Sequence, residues 1–78
     1  MPKLELYYRP TCHYCQKVLG FMNQNGIVLT MHNVLEGDNR NNLIKIGGMP
    51  QIPCLIIDGR AMYESDDIID WLKENYKK

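Results

Sequence analysis

The sequence predicts an α/β fold, one four-stranded mixed sheet flanked by helices, in the order β-α-β-α-β-β-α. Three observations predict it. Short alternating or β-branched runs are interleaved with segments of helical period. A helical segment joins the first two strands, which favours parallel pairing in a right-handed β-α-β unit. An Asp58-Gly59 step between the last two strands is a strong hairpin signal. At 78 residues the chain reads as a single domain, 1–78. Helices on both faces of one sheet are an economical way to bury a core at that length.

Lys3 to Tyr8 sets Leu4, Leu6 and Tyr8 against Lys3, Glu5 and Tyr7, the period-two pattern of a strand, and Arg9-Pro10-Thr11 breaks it. A helix is predicted from Cys12 or His13 to about Asn25. Its apolar stripe is Val18, Leu19, Phe21 and Met22, and Gly26 stops it. Ile27 to Val34, β-branched and alternating, gives the second strand. A short helix near Asn39–Ile46 ends at Gly47-Gly48. Pro53 to Asp58 reads as a buried strand, and Ala61-Met62-Tyr63 pairs back against it. The last helix starts at Ser65 with Asp66 and Asp67 in its first turn, where the helix dipole favours acids. Its core face is Ile68, Ile69, Trp71 and Leu72, and Tyr76, Lys77 and Lys78 close the chain.

Nine basic residues balance nine acidic ones, so nucleic-acid and anionic-membrane binding, which call for a basic excess, are not expected. The opening Met1-Pro2-Lys3-Leu4-Glu5-Leu6 lacks the pattern of a signal peptide, and no run is long enough to span a membrane. Three cysteines is an odd count, with two close together in Cys12-His13-Tyr14-Cys15. That usage suggests a reducing cytoplasm and chemistry rather than a disulfide scaffold.

Cys12 and Cys15 are three apart, so at a helix start they share a face and lie close enough for a disulfide to close. Thr11 is expected to cap the helix and leave Cys12 in its first turn. There the dipole and free N–H groups favour a thiolate, with a pKa below the free value of ~8.5. Cys15, one turn further in, is expected to stay a thiol until it resolves. His13, between the two, can stabilise the thiolate as an imidazolium and make the disulfide more oxidising. Zinc is the competing use of this spacing, but it needs two further ligands, and only Cys54, His13 and His32 are left. No metal is therefore assigned. His32 reads as a packed strand residue. Cys54 reads as a small buried hydrophobe, the other reading being a secondary site of thiol modification or a regulatory thiol.

Tyr8-Arg9-Pro10-Thr11-Cys12-His13-Tyr14-Cys15, Gln51-Ile52-Pro53 and Ser65-Asp66-Asp67-Ile68 resemble, in order and spacing, the three signatures of the glutaredoxin family. The resemblance covers almost the whole chain. It implies a thioredoxin-like fold and glutathione-dependent thiol–disulfide exchange, with Cys12 as nucleophile, Cys15 as resolving cysteine and Pro53 as a cis-proline facing them. The chain departs from that pattern in carrying His13 where dithiol members usually have proline, Gln51 for threonine, and Tyr63-Glu64 for two glycines. Glu64-Ser65 is similar instead to the pair that holds the γ-glutamyl end of glutathione in the N-terminal domain of glutathione S-transferases.

Glutathione carries two carboxylates and an ammonium, so its site needs cations, helix N-termini and an acid. Arg9 takes a position that is basic in glutaredoxins and suits the glycyl carboxylate. Pro53 donates no hydrogen bond and helps leave the backbone of Ile52 free for an extended peptide. The N–H groups of Ser65 and Asp66 suit the γ-glutamyl carboxylate and the Asp66 side chain its ammonium, while Tyr14 flanks the sulfur. The expected partners are glutathione as co-substrate and disulfide-bearing or glutathionylated proteins, with no other cofactor and a monomeric chain. The rival readings are a [2Fe–2S] cluster bridged with glutathione between two monomers, a glutathione S-transferase-like binding module without redox turnover, and a thioredoxin-like donor served by a flavoenzyme.

Overall fold

The computed structural model describes residues 3–76; Met1, Pro2, Lys77 and Lys78, which open and close the chain in the sequence reading, lie outside them. Within it run β1 (Leu4–Tyr8), α1 (His13–Gln24), β2 (Thr30–Asn33), α2 (Asn39–Gly47), β3 (Cys54–Ile57), β4 (Arg60–Met62) and α3 (Ser65–Asn75). They follow the predicted order β-α-β-α-β-β-α.

The sheet order is β2-β1-β3-β4. β1 pairs parallel with β2, Glu5 opposite Thr30, and antiparallel with β3, Leu6 opposite Leu55. The β3–β4 hairpin turns at Asp58 and Gly59, with φ of 49° and 86°. Two consecutive positive φ values make the turn whose twist suits a hairpin, and the Asp-Gly step supplies residues that tolerate it. The Asp58 carboxylate is held by the Lys3 backbone N–H at 2.8 Å, tying the turn to the start of β1.

Each face of the sheet has its own core. Leu4, Leu6 and Leu55 pack against Val18 and Met22 of α1 and Ile68 and Leu72 of α3. On the other face Tyr7, Cys54 and Ile56 pack under Leu43 of α2. The period-two reading of β1 put Tyr7 on the polar side, yet it is 3% exposed. Helices cover both faces, so alternation in β1 separates two cores rather than a core from water.

The boundaries differ from expectation chiefly in β2 and β4. Ile27–Leu29, expected in the second strand, precede it as an irregular segment. Gly26, at φ 63°, lets the chain turn back on α1, with the Ile27 N–H donating to Met22 O at 2.9 Å and the Gly26 N–H to Asn23 O at 3.4 Å. This is a Schellman cap, which takes the Ile27 N–H, and the Val28 N–H donates to the Tyr76 hydroxyl at 3.4 Å. The last strand begins at Arg60 and ends at Met62, so Tyr63 falls outside it.

Candidate active site

The turn after β1 delivers Cys12 to the N-terminus of α1. Cys12 itself is the N-cap, extended at φ −83° and ψ 126°, and no side chain caps the helix. The expected cap by Thr11 is therefore corrected. The Cys12 N–H donates back to Arg9 O at 3.1 Å and its carbonyl accepts from the Gln16 N–H at 2.9 Å. The tight turn thus places the cysteine one position earlier than a threonine cap would. Cys12 keeps the intended surroundings, because N-cap side chains face the unpaired N–H groups of the first turn.

The two thiols differ in environment: Cys12 is half-buried and Cys15 is buried. Burial pushes the Cys12 pKa up. The Cys15 N–H, the Cys15 thiol, the Tyr14 N–H and the charge of Arg9 outweigh it and bring Cys12 below the ordinary thiol value. Burial pushes Cys15 up to about 11, helped by the hydrogen bond it makes to Cys12. The pair therefore holds one ionisable sulfur and one protonated sulfur, the division of labour an attacking and a resolving cysteine need. The His13 ring sits edge-on to Tyr14, with centroids 5.7 Å apart, and its charge is not among the influences that lower Cys12.

Beside this turn lies a groove of about 280 Å³ lined by Tyr14, Gln51, Ile52, Pro53, Tyr63, Glu64, Ser65 and Asp66. Six of the predicted site residues, Tyr14, Ile52, Pro53, Glu64, Ser65 and Asp66, are thus brought together from three distant stretches of chain. The Ile52–Pro53 peptide is cis. Glu64 is the N-cap of α3 and its carbonyl accepts from the Ile68 N–H at 2.9 Å, so the helix begins at Ser65, which is 8% exposed. Arg9, Thr11, Cys12, His13 and Cys15 stand outside the lining, with Tyr14 as the link between the groove and the cysteine turn.

Two lining residues were not assigned a binding role from the sequence. Gln51 precedes Ile52 and could have been found by its place in that element. Tyr63 was placed in a strand; it donates to Met49 O at 3.1 Å and so braces the segment leading to Pro53. Its hydroxyl lies so near α2 that a Cβ on Gly47 would meet it at 1.9 Å. Cys54, directly after Pro53, is fully buried, and burial pushes its thiol up to about 11. That surrounding suits the reading of Cys54 as a small hydrophobe. Among the described residues no three metal-ligating side chains converge, and no helix is long and apolar enough to cross a membrane.

Fold and site together define a thioredoxin-like domain that presents a Cys-x-x-Cys pair at a helix N-terminus beside a cis-proline groove. The comparison with protein families carries this further: residues 6–78 match the glutathione S-transferase N-terminal domain, and the chain belongs to that family. Among solved structures, the thioredoxin-like protein BC3987 is 26% identical with a TM-score of 0.75, over 92% of this chain and 97% of that one. A delta-class glutathione transferase from Nilaparvata lugens is 27% identical with a TM-score of 0.78, over 96% of this chain but only 37% of its own. Glutaredoxin C1 from Populus tremula x tremuloides shares the fold at 18% identity and a TM-score of 0.68, over 94% and 76% of the two chains.

Proposed function

We propose that this domain is a glutaredoxin-type, glutathione-dependent thiol–disulfide oxidoreductase working in the reducing cytoplasm. The observation that carries the reading is the contrast between the sulfurs, with Cys12 lowered and half-buried and Cys15 raised to about 11 and buried, next to the groove of Tyr14, Pro53 and Ser65. The family match supports glutathione as the occupant of that groove.

In the proposed cycle the Cys12 thiolate attacks the glutathione sulfur of a mixed disulfide. The bond to the substrate thiol breaks, and that thiol leaves as a thiolate and takes a proton from solvent. A second glutathione, as thiolate, attacks the Cys12-bound sulfur, releasing oxidised glutathione and restoring Cys12. With a protein disulfide, Cys12 forms the mixed disulfide with one substrate sulfur. Cys15 then gives up its proton and attacks Cys12, so the substrate leaves as a dithiol and the Cys12–Cys15 disulfide forms. Two glutathiones reduce that disulfide and emerge oxidised. Within the groove, the Ile52 backbone pairs with the tripeptide and Glu64, Ser65 and Asp66 take its γ-glutamyl end, while Arg9, outside the lining, faces its glycyl carboxylate.

A coupled assay with glutathione and glutathione reductase on a glutathionylated substrate tests this. Cys12→Ser is expected to be dead, and Cys15→Ser to keep turning over glutathione mixed disulfides while losing protein disulfides. Activity surviving in Cys12→Ser would refute the assignment. The family match also favours a second reading, a glutathione-binding module that acts on electrophiles. That reading predicts conjugation of glutathione to a test electrophile, retained in Cys15→Ser, with no disulfide reduction.

A further inference from the structure

The γ-glutamyl end of the groove carries an excess of negative charge. Glu64, Asp66 and Asp67 stand at three of the first four positions around the start of α3, and Glu64 and Asp66 line the groove. A γ-glutamyl group brings its own carboxylate, and like charges close together are unfavourable even where the helix N-terminus attracts anions. Something must offset those acids, and the structure supplies one residue for it.

Lys17 lies three positions beyond Tyr14 on α1, so the two share a helix face. From there its Nζ reaches across to α3 and donates to Asp66 Oδ1, a contact between residues 49 apart in sequence. Both side chains are exposed, 50% for Lys17 and 75% for Asp66. An ion pair of that kind adds little to fold stability, so its consequence falls on what enters the groove. Glu64 is left without an ion pair among the described residues.

We propose that Lys17 is a positioning residue for the γ-glutamyl end of glutathione, acting through Asp66; the inference rests on the glutathione reading above. By pairing with Asp66, Lys17 cancels one of the repelling charges and fixes that carboxylate at the groove wall. The γ-glutamyl carboxylate then meets the α3 N-terminus beside a neutralised pair, and the ammonium turns to the unpaired Glu64. Lys17 thereby favours ligands that bear a γ-glutamyl group over those that lack it.

The test compares two fluorogenic substrates built on one peptide, carrying either glutathione or cysteinylglycine in disulfide linkage, with wild type, Lys17→Met and Lys17→Arg at fixed glutathione. Cysteinylglycine is the same thiol without its γ-glutamyl group. Lys17→Met is expected to raise KM for the glutathionyl peptide about fivefold, the scale of an exposed charge pair. Its KM for the cysteinylglycyl peptide should stay within twofold, and Lys17→Arg should restore the glutathionyl value. Equal loss on both substrates would mean that Lys17 merely braces α1 against α3, and no change on either would mean that it is a bystander. Both results overturn the inference. Wild type that turns over neither peptide, or that shows no preference for the glutathionyl one, overturns the glutathione reading itself and this inference with it. Wild type alone reveals that outcome.

Discussion

The same substitution, glycine to alanine, is expected to have opposite effects at two helical positions of this chain. Gly20 lies inside α1, exposed, and a Cβ built there meets nothing within 4 Å. Alanine is favoured over glycine in a helix interior by roughly 0.5–1 kcal/mol. Gly20→Ala should therefore raise the melting temperature by about 4 °C, given a shift of about 4–8 °C per kcal/mol for a domain of this size. Gly47 ends α2, and a Cβ there would lie 1.9 Å from the Tyr63 hydroxyl oxygen, 2.9 Å from its Cζ and 3.0 Å from the Ala61 Cβ. Forcing atoms into a packed site costs typically about 1–3 kcal/mol. The helix gain is also smaller at a terminal position, so Gly47→Ala should lose about 1–2 kcal/mol. Tyr63 would move away from Met49 O, to which it donates at 3.1 Å. Because Tyr63 lines the groove, KM for the glutathionylated substrate should rise as well. Thermal unfolding of both variants, and of Gly47→Ala combined with Tyr63→Phe, decides the matter. Removing the oxygen should recover part of the loss. If Gly47→Ala melted as high as Gly20→Ala, the close approach of Tyr63 to α2 would be refuted.

Two further outcomes follow from the thiols. The lowered Cys12 pKa predicts that iodoacetamide modifies it faster at pH 6 than it modifies free glutathione, and that Arg9→Gln slows this reaction by removing the positive charge that helps lower it; mass spectrometry of the labelled peptide measures both. Cys15 and Cys54 are acids raised from 9.0 to about 11 in the folded chain, so the stability they contribute is present below pH 9 and lost as pH rises through about 11. Each accounts for on the order of 2 kcal/mol across that window. Urea midpoints of the reduced protein should fall between pH 9 and 11, and Cys54→Ala should blunt the fall; a flat profile would contradict the burial of these sulfurs.

Where the sequence was informative, two physical signals coincided. The α1 and α3 stripes, centred on Val18 and Ile68, joined helical period to a terminating or acidic end, and the hairpin announced itself through Asp58-Gly59. The second strand starts later than its propensity suggests because the Schellman cap at Gly26 takes the Ile27 N–H and the Tyr76 hydroxyl takes that of Val28. Nothing local in the residues reveals that competition. The helix cap was misplaced for a related reason. Thr11 is the better cap by type, but the backbone bond from Cys12 to Arg9 shifts the helix start by one residue. In the site, motif residues were legible because each sits at an element boundary. Tyr63 and Lys17 were not, because their roles arise from contacts with Gly47, Met49 and Asp66, which are remote in sequence or held on other elements.

The sealing of Cys54 under Leu43 and Tyr7 has a practical corollary. Of three sulfhydryls, a small maleimide should find one at once in the native protein and all three only after denaturation. The labels taken up in a brief pulse beyond one per molecule, two for each unfolded chain, thus count the molecules that have come apart, with no dye or tag required. It would let a damaged preparation be told from an inactive but intact one.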